Sequence, residues 1–525
     1  MKRWATIAAG CMTLSAAGTA SASSAVEFPD NGVAQLSRGG AWLATATDPI
    51  AGFYNPAALA TQTTSFGIGL NLAIQKLCYT RRGPGDTSIG PSPGLEAGGI
   101  TYEKVCNSNA GRANAIPNLA AVWRMSEKLA LGLTITTPAS YGTTQWPDVA
   151  SSSGRTEPIP AAQRYLSLKV QGTVLWPTLS AAYSITDRLH VGAGFVAGVA
   201  FLELESMSMS NVQETNAVDN HVQDTRSKIT VRDVFVPGAV ASVLFEANDN
   251  FDFAAWGRVS DSIRAKGDLE VIAPYFAPTG VKRTQCDYPG QTLDEPGKQC
   301  ADTTLSKDQA GEDAAKVTVA IPMELRVGAR FHVPQPAARG LELERHRKDT
   351  HRTRDPLRDD LFDLELDVTY AHNSQADVVE VRFPSGINVL GLPGTVPENA
   401  DRPTGYKDSI GVRLGGQYNL VRNKIGIRAG SWMETKAVDD DHLTVTGVPA
   451  LRAGLATGLV FRVQAVDLEF GYMHAFNAGL DNGGDGKLRA IAGSGSQDNR
   501  SYHAVNGGSI TQDADVFSLG AVARF

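Results

Sequence analysis

The residues able to do chemistry sit in few places, and none assembles a reaction centre. Gly493-Ser494-Gly495-Ser496 has the small-residue frame of a hydrolase nucleophile. That nucleophile needs a sharp strand-to-helix turn to lift the serine above a sheet, and no helix-forming stretch follows it, so the segment reads as a loop. Asp481-Asn482-Gly483-Gly484-Asp485-Gly486 opens like a calcium loop, but Ala492 stands where the closing bidentate carboxylate is required. The nine histidines are scattered apart from His346 and His351, and none shows zinc-ligand spacing. No nucleotide-binding loop occurs. The expectation is a protein that is not an enzyme and needs no metal or cofactor.

The cysteines point to export instead. Lys2 and Arg3 precede an apolar stretch from Trp4 to Ala17, and Ala20-Ser21-Ala22 supplies the small residues of a signal-peptidase site. Residues 1–22 read as a signal peptide, with the mature chain starting at Ser23. Cys11 leaves with it, and Cys78, Cys106, Cys286 and Cys300 remain, an even count in an exported chain. They allow three connectivities; local pairs Cys78 with Cys106 and Cys286 with Cys300 are favoured because each pair shares one loop.

The elements that carry these residues alternate apolar with polar or small side chains, the period-2 signature of a two-faced strand. Ile410, Val412, Leu414 and Tyr418 share one face, and Ser409, Arg413, Gln417 and Asn419 the other. Leu364, Leu366, Val368 and Tyr370 oppose Asp363, Glu365 and Asp367. Fourteen such segments run at 64–75, 117–125, 128–138, 174–185, 188–204, 234–247, 250–265, 318–332, 361–374, 407–421, 424–436, 449–463, 466–477 and 514–525. Short and long connections alternate between them, as in an up-and-down outer-membrane barrel with short periplasmic turns and long outer loops. The connection at 333–360 breaks this parity and is rich in Arg, Lys and His, including Arg345, His346, Arg347, Lys348, His351, Arg352 and Arg354. It reads as a solvated insertion, with contact to headgroups or a periplasmic partner as the alternative.

Composition agrees with this organisation. Hydrophobic residues are 42% and charged residues 20% of the 525, and no mature stretch is apolar enough for a membrane helix. Barrel strands hide their hydrophobicity by alternation. The net charge of −7 excludes a generally basic nucleic-acid binder. In hydrocarbon every backbone donor and acceptor needs an internal partner, so a spanning sheet must close. The lumen then receives Glu324, Arg326, Arg330, Asp363, Glu365, Asp367, Arg413, Arg428, Asp467, Glu469 and Arg524, which are read as ion pairs bracing the interior. Fourteen strands enclose more space than their own side chains fill. Residues 23–63, Gly- and Ala-rich and not alternating, are the natural plug, with the barrel at 64–525.

A family resemblance rests on this N-terminal segment. Gly32 to Ala41, Asp48-Pro49 and Gly52-Phe53-Tyr54-Asn55-Pro56-Ala57-Ala58-Leu59 resemble the hatch of the FadL/TodX family of outer-membrane transporters. The resemblance continues through Pro117-Asn118-Leu119, Tyr183 to Gly194, Tyr406 to Gly411, Ile427 to Gly430 and the last strand, in matching order. It implies a 14-stranded antiparallel transmembrane β-barrel in the bacterial outer membrane, with a hatch inside the lumen. It also implies passive uptake of hydrophobic small molecules, long-chain fatty acids first, by lateral diffusion through the wall. Aromatic hydrocarbons are the alternative substrates, and a surface receptor or adhesin is the alternative role. Phe53, Tyr54, Asn55, Pro56 and Ala57 are the expected gating residues; Tyr141, Trp146, Tyr275 and Phe276 are candidate outer ligand contacts. Phe525, the terminal aromatic, looks like the signal read by the barrel assembly machinery. A monomer surrounded by lipid and lipopolysaccharide, without nucleic acid, completes the expectation.

Overall fold

The computed structural model describes residues 31–82, 103–137, 142–150, 159–208, 224–273, 301–305, 311–335, 353–384, 398–491 and 500–525. The signal peptide read at 1–22 lies outside them, as do Tyr141, Tyr275, Phe276, Cys286, Cys300 and the basic residues 336–352.

Fourteen strands form one closed antiparallel barrel. In chain order they are β1 (Ser65–Arg81), β2 (Ala113–Arg124), β3 (Leu129–Thr136, resumed by Gly142–Gln145), β4 (Lys169–Ser184), β5 (Leu189–Ser208), β6 (Thr225–Glu246) and β7 (Phe251–Ser260, resumed by Ile263–Ala273). Then come β8 (Ala315–Val319, resumed by Glu324–Pro334), β9 (Asp360–Ala371, resumed by Val378–Arg382), β10 (Ser409–Val421), β11 (Ile425–Glu434), β12 (Arg452–Val463), β13 (Val466–Asn477) and β14 (Gly508–Arg524). Closure is made by β1 on β14, in register from Ser65↔Arg524 to Arg81↔Gly508. Among the described residues no edge strand of the barrel is left to meet lipid.

The short turns fall where the alternation ends. Met125 and Ile185 donate their N–H groups to the carbonyls of Leu129 and Leu189, and Asn423 and Gln464 take the left-handed backbone that two such turns need. The outward face below the outer loops is apolar: Leu179 is 64% exposed and Phe470 50%. Side chains of that kind on a continuous ring are stable against hydrocarbon, not water.

Several strands run further outward than the alternation suggested, and β6 shows why. Below the bulge at Asp233/Val236 the odd residues Val243 and Phe245 face out. Above it the even residues Lys228, Thr230 and Arg232 face out while Ile229 and Val231 are buried. The extra residue of a bulge flips the phase, so apolar residues there line the inside and the lipid-facing signal vanishes from the sequence.

One ladder is interrupted in the wall. β2 pairs with β3 only from Arg124↔Ala130 to Leu119↔Ile135; where β3 resumes at Gly142, it pairs with β4. The outer half of β2 stays bonded to β1.

Candidate functional site: a plugged lumen beneath an apolar cavity

Residues 31–62 pack against the inner face of strands on both sides of the barrel and are almost entirely buried. Their short helices, Val33–Ser37 and Ala51–Tyr54, are too brief to stand alone. The wall holds them. Asp367 accepts the N–H groups of Trp42 at 3.0 Å and Leu43 at 3.1 Å, and Glu365 accepts those of Ala44 at 2.5 Å and Thr45 at 3.0 Å. Four successive backbone donors are thus met by two carboxylates on one inward face of β9. A plug with little regular structure needs this, because its buried backbone groups have few partners of their own.

The Asn-Pro-Ala segment is an anchor within the plug. Asn55 donates from Nδ2 to the Leu43 carbonyl at 2.7 Å, Pro56 begins the 3-10 turn Pro56–Thr61, and the Ala57 N–H donates to Ser242 Oγ of β6 at 2.8 Å. Phe53 lies edge-on to Trp176 at 5.8 Å and beside Trp256 at 6.2 Å, and Trp256 Nε1 donates to its carbonyl at 2.8 Å. The Tyr54 hydroxyl accepts from the Asn31 N–H at 3.1 Å. The structure therefore brings Phe53, Tyr54, Asn55, Pro56 and Ala57 together in the lumen.

The lumen charges form pairs, and the plug shares in them. Arg330 reaches Asp252 at 3.0 Å, Asp360 at 2.5 Å and Asp363 at 3.2 Å; Arg428 meets Glu469 at 2.8 Å, Arg413 meets Glu434 at 3.2 Å, and Arg524 meets Asp467 at 3.0 Å. Arg38 of the plug joins this network. Sequence reading assigned these charges to bracing the wall and missed that several grip the plug.

The described end of the basic insertion corrects its reading as merely solvated. Thr353 to Asp359 crosses the periplasmic mouth. Arg354 donates to the Ala44 carbonyl at 2.9 Å and pairs with Asp252 at 2.6 Å, while its backbone N–H bonds Thr61 O at 2.8 Å. Asp355 pairs with Arg462 at 2.6 Å, and Pro356 and Leu357 are buried. The contact is with the chain's own plug, because a buried guanidinium needs a counter-charge and Asp252 supplies it.

Above the plug lies a cavity of about 630 Å³. One side of its wall is aliphatic, with Leu202, Ile229, Leu269, Val319 and Val381 among the lining residues, and Tyr165, Phe383 and Tyr406 supply its aromatic rings. A roof of loop residues covers it, and Trp146 belongs to that roof: it is buried and its Nε1 donates to Val445 O at 3.2 Å, so it does not line the cavity. The Cys78–Cys106 disulfide ties the outer end of β1 to the loop beside it.

Charged side chains also line the cavity, among them Lys169, Glu205, Asp401, Lys487 and Arg500, and Arg402 differs from them in its partners. Arg402 donates to Leu166 O at 2.7 Å and Ser206 Oγ at 2.7 Å, both neutral acceptors. Burial and the neighbouring Arg500 push its guanidinium down to about 10, and among the described residues no carboxylate pairs with it. Nothing in the sequence marks Arg402, since a lone Arg in a loop has no spacing to read.

The protein family described as "Outer membrane protein transport protein (OMPP1/FadL/TodX)" matches this chain over residues 12–337. The chain belongs to this family. FadL/TodX proteins of known structure share the fold. A FadL homologue of Pseudomonas aeruginosa aligns with a TM-score of 0.66 at 15% identity, over 96% of this chain and 100% of that one. The toluene transporter TbuX of Ralstonia pickettii gives 0.55 at 15% identity over 95% and 99% of the two chains. The toluene transporter TodX of Pseudomonas putida gives 0.56 at 11% over 96% and 99%. No curated protein sequence matches the chain. Membership makes the protein an outer-membrane transporter of hydrophobic substrates, from a family of transport proteins and not of enzymes.

Proposed function

We propose that this FadL/TodX protein takes up long-chain fatty acids by passive, hatch-gated diffusion. The observation that carries the reading is Arg402, a cation with neutral partners where the aliphatic wall of the cavity meets its charged outer rim. A guanidinium keeps its proton at neutral pH and prefers a carboxylate, which it can hold bidentately. An acyl chain with an acid at one end suits both parts of the site; a plain hydrocarbon suits only one. Phe53 to Ala57 lie in the plug, whose apolar cluster includes the cavity-lining Ile229, Leu269 and Val381, and movement of the plug opens the way. Among the described residues the backbone ladder of β2 and β3 stops at Leu119↔Ile135 and Gly142–Gln145 pair with β4 instead, which supports a sideways exit into the membrane. Tyr141, Tyr275 and Phe276 are further rim contacts under this proposal, and Phe525 the handle for barrel assembly. The protein works as a monomer.

Uptake of aromatic hydrocarbons is the second reading, favoured by the toluene transporters among its structural relatives. Binding of labelled oleate and of toluene to the full-length protein and to Arg402→Gln separates the two. The fatty-acid reading expects oleate affinity to fall about tenfold or more, the order of one charge-assisted hydrogen-bond pair, with toluene unchanged. Equal oleate binding by both proteins would sink it. Reconstituted oleate uptake with and without residues 23–62 tests the gate: unchanged permeation would leave the barrel as a mere anchor for its loops.

A further inference from the structure

The cavity-lining face of β5 and β6 changes chemistry at one rung of their ladder. Leu204 stands opposite Ile229, and the next pairs on the same face are Ser206 opposite Ser227 and Ser208 opposite Thr225. All of these residues line the cavity. Same-face neighbours on a strand are about 7 Å apart, so two successive rungs of hydroxyls extend the site beyond its aliphatic part. Arg402 marks the boundary, because it donates to Ser206 Oγ at 2.7 Å.

Most polar groups around the cavity are already answered. Lys169 meets Glu203, Glu205 meets Arg226, Asp401 meets Arg382 and Lys487 meets Asp441. Thr404 donates to the Ala376 carbonyl at 2.6 Å, and the hydroxyls of Thr444 and Thr446 bond one another at 3.2 Å. Two buried hydroxyls stand apart. Ser167 and Thr225 are 2% and 3% exposed, line the cavity, and find no hydrogen-bond partner for their side chains among the described residues. A buried hydroxyl without a partner is costly, and convergent polar groups in an apolar pocket fix the orientation of what it binds.

Both are positioned by their neighbours. Asp224 accepts from Arg164 Nε at 2.7 Å and from the Tyr165 hydroxyl at 2.8 Å, which fixes the turn leading to Ser167 against the start of β6. Ser167 follows Leu166, whose carbonyl is the other acceptor of Arg402. The two hydroxyls and the guanidinium thus belong to one end of the cavity, and the aliphatic side chains to the other.

We propose that the cavity selects fatty acids that carry a hydroxyl close to the acid, such as 3-hydroxy acids. The inference rests on Arg402 as the partner of the carboxylate. A carboxylate only accepts, and a single one is too short to serve both hydroxyl rungs; a ligand hydroxyl can donate to one side-chain oxygen and accept from the other. An analogue lacking that hydroxyl leaves the polar groups of the site unmet, which is how a pocket built around a hydroxyl discriminates.

Isothermal titration calorimetry of the full-length protein in mild detergent, with myristate and 3-hydroxymyristate, tests this. The affinity ratio of hydroxy to plain acid should be about tenfold higher in wild type than in the double variant Ser167→Ala, Thr225→Val, the combined worth of two neutral hydrogen bonds. Comparing ratios removes the difference in hydrophobicity between the two acids. Thr225→Val alone, which keeps the β-branched shape, should shift the ratio in the same direction if the double variant fails to fold. An unchanged ratio overturns the proposal and shows that the two hydroxyls hold only water; an absence of binding by the hydroxy acid overturns it too. Arg402→Gln should weaken both acids while leaving their ratio at the wild-type value. If it weakens neither, the carboxylate reading of Arg402 falls; if it weakens both and the ratio ignores Ser167 and Thr225, only the hydroxyl preference falls.

Discussion

Arg38 Nη2 of the plug lies 2.6 Å from Asp363 Oδ1 of β9, with both side chains 1% exposed. Asp363 also faces Arg330 at 3.2 Å, so one carboxylate balances a cation from the plug and a cation from the wall. Removing one member of a buried ion pair leaves the other uncompensated and costs roughly 3–5 kcal/mol. Asp363→Ala takes a carboxylate from two guanidiniums at once, leaving Arg38 only the longer contact to Glu365 at 3.5 Å while Arg330 keeps Asp252 and Asp360, and should loosen the plug. Single-channel conductance in planar bilayers should rise above the wild-type level. Arg38→Met should be milder, since Asp363 keeps Arg330. A wild-type conductance in both would refute this role.

The barrel was legible in the sequence because lipid on one side and charges on the other impose a period of two that nothing else explains. All fourteen strands are legible, and the short turns at 126–127, 186–187 and 248–249 lie between the strands of the structure as the sequence places them. What stayed hidden was whatever breaks that period. Thr225 to Asp233 reads in the wrong phase because the β6 bulge inverts it. Arg354 sat in a charge run that looked solvated, since composition cannot tell a buried guanidinium with a distant acid from an exposed one. The grip of Asp367 and Glu365 on the plug was equally silent: their partners are backbone N–H groups, which every residue but proline has.

Gly415 of β10 and Gly430 of β11 are paired in register, and the Arg38 backbone lies directly on both. A Cβ built at either position would come within 2.1 Å of that backbone. The wall is therefore flat where the plug presses closest, and backbone cannot yield as a side chain can. Gly430→Val should leave barrel folding intact, judged by heat-modifiable gel migration, while exposing the plug to added protease. Gly447→Ala, with nothing within 4 Å of the new carbon, should match wild type in both assays. Protection of the plug in Gly430→Val would contradict the close-contact argument.

The Cys78–Cys106 bridge closes a loop with a sequence separation of 28. Loop-closure entropy for that length is worth roughly 3.5 kcal/mol, acting on the outer end of β1 and not on the spanning part. Reduction should therefore raise hydrogen exchange around residues 77–81 and 105–109 while leaving β10 to β13 unchanged. A uniform rise around the whole barrel would mean the bridge stabilises the fold globally.

Asp441 holds the outer loop over the cavity by accepting from Lys487 Nζ at 2.6 Å and His442 Nδ1 at 2.6 Å. Lys487 above all, then His442, keeps the Asp441 carboxyl below its ordinary 3.8, and the same contact raises the Lys487 ammonium above 10.5. The signs fix the window. A depressed carboxyl contributes stability that is complete above the unfolded value and lost as pH falls through the lower folded one; a raised amine contributes stability that is complete below its unfolded value and lost above its folded one. The clasp should therefore hold from about pH 4 to pH 10 and open at either extreme. Exchange of the Asp440–His442 turn, corrected for the intrinsic pH dependence of amide exchange, should be slow at pH 7 and faster at pH 2. Lys487→Met should bring the pH 7 rate close to the pH 2 rate, because it removes the first cause of the shift. Since Lys487 is well exposed, the effect should also shrink in high salt; a clasp indifferent to pH, to salt and to Lys487→Met would show that the turn is held by its backbone bonds alone.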